Sequence, residues 1–139
     1  DHVLTNRSGL LGVSQISADM HDLLDRRAAD PRAAEAVELF VYQAKKHIGA
    51  LVAVLGGLDT LVFTGGIGEH SAPLRAEIAA GLGHLGVALD AARNEAGRPI
   101  VSVDGGRVVV RVVPANENLM IVRHTNALLV RSAAEGRTV

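Results

Sequence analysis

The stretch Leu58 to Ser71, LDTLVFTGGIGEHS, restricts the fold more than any other part of the chain: an apolar run ends in three glycines within four positions, and a helix start follows. β-Branched and aromatic side chains pack well on a pleated surface, and no polar alternation interrupts Leu61, Val62 and Phe63, so these residues predict a buried strand. Gly65, Gly66 and Gly68 carry no Cβ, which opens positive φ to the backbone and lets a ligand approach the main chain. Ser71 is placed to cap a helix whose first turn holds Pro73. The N–H groups at such a helix start would point back at the glycine loop and make a polar, slightly positive pocket.

Strand, glycine loop and helix start together form a nucleotide-site pattern. GGIGEH nevertheless lacks the G-x-G-x-x-G spacing of dinucleotide folds, and no Lys-Ser/Thr follows as a P-loop requires. On spacing alone, a tight strand-to-helix turn with no ligand is an equal alternative.

The flanking sequence sets this stretch in an α/β frame. Asp30-Pro31 is a helix start, and Val37, Phe40, Val41, Ala44, Ile48, Leu51, Val52 and Leu55 recur at spacings of three and four up to Gly56-Gly57, which would end the helix in a left-handed cap. A long helix leading into a buried strand is an α/β unit, whose sheet should be mostly covered on both faces. Leu74, Ile78 and Leu82 mark one face of a short helix, and residues 83–98 read as a connector with one helical turn from Asp90 to Glu95. Two β-branched runs, 100–103 and 108–113, flank the hairpin signal Asp104-Gly105-Gly106. Asn116 can cap a last helix. The strand at 60–64 is therefore expected beside that at 108–113, with helices at 33–55 and 117–133 packed on the sheet. Before all this, LTNRSGLLGVSQIS reads as a loop, and Ser17 as the N-cap of a helix in which Asp19 complements the dipole.

Composition narrows the function classes. At 139 residues, 48% hydrophobic and 21% charged, the chain suits a single globular unit, residues 1–139, and with 2% aromatic residues its core must be aliphatic. A net charge of −1 with mixed signs gives no electrostatic footprint for nucleic acid or an anionic membrane. The absence of cysteine excludes disulfides and thiolate metal sites and fits a reducing cytoplasm. Apolar runs stay short of the roughly 18 residues of a membrane span. The expectation is a soluble, cytoplasmic protein.

Three segments resemble acetate kinases. VFTGGIGEHS is similar to the VFTGGIGEN segment that forms the adenosine-binding loop of that family, SGLLG followed by Ser17 to His21 is similar to its SGLLG and Ser-x-Asp-x-Arg strings, and PANENLMI is similar to its PTNEEL segment. The order and approximate spacing are those of the family, from about Leu4 to Leu129. The resemblance implies a partial actin-like ATPase (ribonuclease H-like) domain, α/β, with a mixed sheet and helices packed on it. It implies that Gly66, Ile67, Gly68, Glu69 and His70 approach adenosine, that Asp19, Met20 and His21 frame its pocket, and that Glu117 binds Mg²⁺. Read from residue type alone, Glu117 is instead a first-turn carboxylate favoured by the helix dipole. His21 stands where the family has Arg and His70 where it has Asn, so a planar fork of donors and an amide are both replaced by imidazoles.

The whole family enzyme transfers a phosphoryl group between ATP and acetate, giving ADP and acetyl phosphate, and the resemblance implies a homodimer. The matched segments belong to the last third of such an enzyme. The family's catalytic residues, with its N-terminal portion, are therefore expected upstream of Asp1, and residues 1–139 alone are expected to be inactive, because phosphoryl transfer relies on positioning and an electrostatic clamp. The competing readings are a non-catalytic remnant or assembly module, a fragment of the related butyrate kinase, and a generic nucleotide-binding module.

Overall fold

A computed structural model describes residues 7–134. In chain order the elements are α1 (Gly9–Ser14), α2 (Met20–Arg26), α3 (Pro31–Leu55), β1 (Thr60–Phe63), α4 (Gly65–His70), α5 (Ala72–Ala80), a 3₁₀ turn at Gly83–Leu85, α6 (Ala91–Glu95), β2 (Val109–Val112) and α7 (Glu117–Ala134).

The two strands run parallel, with Thr60 opposite Val109 and Phe63 opposite Val112. The pairing extends one residue past β2, because Val113 N donates to Phe63 O at 2.9 Å. On its other edge β2 meets residues 99–101 in antiparallel fashion: Val101 N donates to Val110 O and Val112 N to Pro99 O. Residues 88–90 add a further antiparallel bridge to Val101–Val103. The sheet is thus mixed, and the turn at Asp104-Gly105-Gly106 closes the expected hairpin, with Gly105 at φ +69°.

Burial along the strands alternates although their sequences do not. Phe63, Val110 and Val112 are buried with Leu61 partly so, while Thr60, Val62, Val109 and Arg111 face outward. Coverage of both faces is therefore not observed. Only the inner face enters the core, where it meets Met20 and Leu23 of α2, Ala36, Val37 and Val41 of α3, and Leu74 and Ile78 of α5. The long helix α3 begins and ends as the sequence predicts: Asp30 accepts from Arg32 N, and Gly56 closes the helix at φ +76°.

Four local expectations are corrected. Residues 9–14 form a helix packed on α3, since Leu10 and Val13 join the rim of the core. Asp19, not Ser17, caps α2. The glycine loop is the short helix α4. The last helix, α7, starts after its Asn116 cap, whose Oδ1 accepts from Leu119 N at 2.9 Å, yet it does not pack on the sheet, and residues 119–131 are all exposed. Its apolar residues are spread around the helix, so it needs cover on more than one side, and the described residues provide none.

Candidate functional site

The N-terminus of α2 is held by a network of serines. Ser14 Oγ, fully buried, accepts from the N–H groups of Ile16 and Ser17, and Ser17 Oγ accepts from Asp19 N at 3.1 Å. Asp19 Oδ1 then accepts from His21 N at 2.8 Å, which satisfies one of the free donors of the first turn. Met20 points into the core at 3% exposure, leaving Asp19 and His21 at the surface.

Across from this terminus, the chain leaves β1 through Thr64 and turns at Gly65, whose φ of +71° is the left-handed region that favours glycine. Gly68 is favoured for a different reason: a Cβ there would lie 3.2 Å from the carbonyl carbon of Phe63, so a larger residue would have to push α4 a few tenths of an ångström off the strand. Gly66 has neither constraint, as its φ is ordinary and a Cβ would meet no atom within 4 Å. Ser71 ends α4 and caps α5, its Oγ accepting from Leu74 N.

Between α2 and α4 lies a cavity of about 550 Å³. Asp19, Met20, His21, Gly66, Ile67 and His70 all line it, with Ala18, Leu24 and Ser71. Its walls are largely apolar, and a carboxylate and two imidazoles supply directed polar groups, which suits a partly apolar small molecule oriented by a few hydrogen bonds. Gly68 and Glu69 do not line it. Gly68 packs on Phe63, and Glu69 Oε1 accepts from Ala115 N at 2.8 Å, tying α4 to the segment before α7. Glu117 opens α7, and its side chain lies outside the described residues.

Two features of the surroundings escape sequence reading. Arg75, 2% exposed, sends Nε to Asn94 Oδ1 (2.7 Å), one terminal nitrogen to the carbonyls of Gly68 and Glu69 (both 2.9 Å), and the other to Asn94 O (2.7 Å). Asn94 in turn donates to Ala72 O. The guanidinium thus holds the last turn of α4 by its carbonyls without a direct carboxylate partner, and burial lowers its pKa, an effect that Glu95 opposes from a distance. Its only sequence signal is a cation between Leu74 and Ile78 on an apolar helix face. The second feature is the two-pronged Arg27–Glu77 ion pair, which braces α2 against α5. Among the described residues, no group of three or more His, Asp or Glu side chains could hold a metal ion, and no helix is long and apolar enough to cross a membrane.

Comparison with known proteins sets this geometry in context. Acetate kinase of Rhizobium meliloti is 50% identical over 127 residues, which cover 91% of this chain and 32% of that protein. The crystal structure of Porphyromonas gingivalis acetate kinase superposes with a TM-score of 0.82 at 35% identity, over 92% of this chain and 33% of that one. A propionate kinase from Francisella tularensis subsp. tularensis SCHU S4 superposes with a TM-score of 0.79 at 33% identity, over 86% and 31%. The chain therefore spans about a third of the length of the relatives it matches, and its fold is that of a partial α/β actin-like ATPase domain. The family model described as the acetokinase family matches residues 1–123, and the chain belongs to that family.

Proposed function

We propose that this chain is the nucleotide-binding part of an acetate kinase, the complete enzyme transferring a phosphoryl group between ATP and acetate to give ADP and acetyl phosphate. The observation that carries the reading is the convergence of Asp19, Met20 and His21 from one part of the chain with Gly66, Ile67 and His70 from another on a single cavity. Adenosine occupies that cavity, its base against Met20, Leu24 and Ile67 and its polar edges toward Asp19, His21 and His70. Glu117 holds Mg²⁺. One carboxylate, with water and substrate phosphates completing the shell, is a donor set that Mg²⁺ commonly takes. The acceptor is a short carboxylate, acetate by the names of the relatives, with a propionate kinase among the similar structures. The complete enzyme is cytoplasmic and a homodimer, and residues 1–139 by themselves do not turn over.

Calorimetric titration of ATP into the protein tests the site. Gly66→Val adds bulk at the cavity without a torsional conflict, so it should abolish ATP binding while leaving the unfolding midpoint in place. Unchanged ATP affinity in this variant would remove the cavity from the nucleotide site.

A further inference from the structure

The side chain of Glu69 faces away from the cavity, and its role follows from what it meets. As β1 ends at Phe63 the parallel pairing has one more bond to give, from Val113 N to Phe63 O. Pro114 has no N–H, and by Ala115 the chain has passed the end of β1, so the Ala115 N–H has no strand carbonyl opposite it. Glu69 Oε1, 46 residues away in sequence, accepts from it at 2.8 Å. The backbone of Glu69 is fixed in turn, because its carbonyl and that of Gly68 accept from the buried Arg75. A carboxylate accepting a backbone N–H is a charge-assisted bond, stronger than the neutral ladder bond it succeeds.

We infer that Glu69 is a positioning residue, a strut that fixes the start of α7 to the cavity helix α4 and thereby couples occupation of the cavity to the placement of Glu117, two residues beyond Ala115. The coupling rests on the nucleotide and metal reading proposed above, whereas the strut itself does not. Glu69 touches neither base nor metal. It transmits the position of α4, set by Arg75 on one side and by the cavity's contents on the other, to the segment that carries the metal-binding carboxylate.

The test compares Glu69→Ala and Glu69→Gln in the full-length protein. Hydrogen exchange across residues 113–118, with no ligand added, should rise severalfold in Glu69→Ala and return toward the unsubstituted level in Glu69→Gln, whose amide oxygen can still accept. In calorimetry, ATP affinity measured with EDTA should be the same in all three proteins, while the gain in affinity on adding Mg²⁺ should be lost at least tenfold in Glu69→Ala and largely restored in Glu69→Gln. Unchanged exchange in Glu69→Ala would overturn the strut. An equal loss of affinity with and without Mg²⁺ would show that Glu69 contacts the nucleotide and would overturn the coupling. If the unsubstituted protein bound no ATP, the site reading and the coupling would both fall, and the exchange result would still decide the strut.

Discussion

At the scale of single residues, Arg75 carries more of the site's geometry than any side chain that lines the cavity. It is buried, makes four hydrogen bonds and holds α4 by two carbonyls. Truncating such a group removes the donor to the buried Asn94 Oδ1 and to the part-buried carbonyls of Gly68 and Glu69, a cost of about 2–4 kcal/mol. Arg75→Ala should therefore lower stability by that amount in denaturant titration, and Arg75→Lys should recover little, because a compact ammonium cannot reach the Asn94 and α4 sides together as the planar fork does. The glycines divide in a way the sequence does not reveal. Glycine density predicts strained torsions throughout 65–69, but only Gly65 has a positive φ and only Gly68 is pressed against the strand. Gly65→Val should cost about 1–2 kcal/mol of stability, in contrast to Gly66→Val, which should change binding and not stability. Thermal unfolding of the two variants side by side separates these effects. The match of Val62 to Glu69 to the family motif located the cavity helix, yet the direction in which the Glu69 side chain points depends on a contact 46 residues away and cannot be read locally.

At the scale of elements, what the sequence made legible follows from how strongly a local pattern constrains the backbone. The 25-residue helix α3 has a stripe of apolar residues, an Asp-Pro start and a glycine stop, three signals that agree, and it forms as expected. The adjacency of β1 and β2 is likewise what their apolar runs predict, whereas the parallel direction has no local signal in either run. α4 was not legible as a helix because each glycine disfavours helix by about 1 kcal/mol relative to alanine; tertiary contacts supply the difference, since the absent side chain at Gly68 lets α4 pack on Phe63 and Arg75 satisfies its terminal carbonyls. α1 was missed for a similar reason, as a helix of only 6 residues has no stable existence apart from its packing on α3. One element-level device predicts a pH effect. Arg93, within α6, donates to both carboxylate oxygens of Asp104 in the hairpin turn, at 2.7 Å each, and to Ser102 O. The hydrogen bond and the charge of Arg93 hold the Asp104 carboxyl below its usual pKa. A carboxyl whose pKa is depressed on folding contributes stability that is complete above its unfolded value of about 3.9 and is lost as pH falls through the folded one. Asp104→Asn should therefore flatten the fall in urea midpoint below about pH 4 and leave the difference from the unsubstituted protein constant above about pH 5, a small effect because Asp104 is 85% exposed and solvent screens the pair.

At the scale of the whole molecule, the apolar surface is unevenly distributed. The inner sheet face is filled, while Val62 on the outer face is 48% exposed, and α7 displays Ile121, Val122, Leu128 and Val130 at more than 60% each. Among the described residues β1 has a neighbour on only one edge. An open strand edge beside apolar side chains is a template for pairing with another chain, and a helix apolar on every side is normally enclosed. The relatives offer a source of cover, for the matched part is about a third of their length. From this follows the expectation that residues 1–139, expressed by themselves, self-associate and produce no acetyl phosphate, and that supplying the remainder of a family chain as a separate polypeptide converts the homo-oligomer into a heteromeric complex. Val62→Lys and Val109→Lys discriminate between modes of association, because both side chains point away from the core: if the outer face drives self-association, the double variant should be smaller in size-exclusion chromatography with light scattering, with far-ultraviolet circular dichroism unchanged. The same substitutions should weaken capture of the added polypeptide, since a lysine pair would then be enclosed against apolar surface without a partner charge. A monodisperse monomer that turns over acetate unaided would show that the outer face needs no cover and that the catalytic groups lie within these residues.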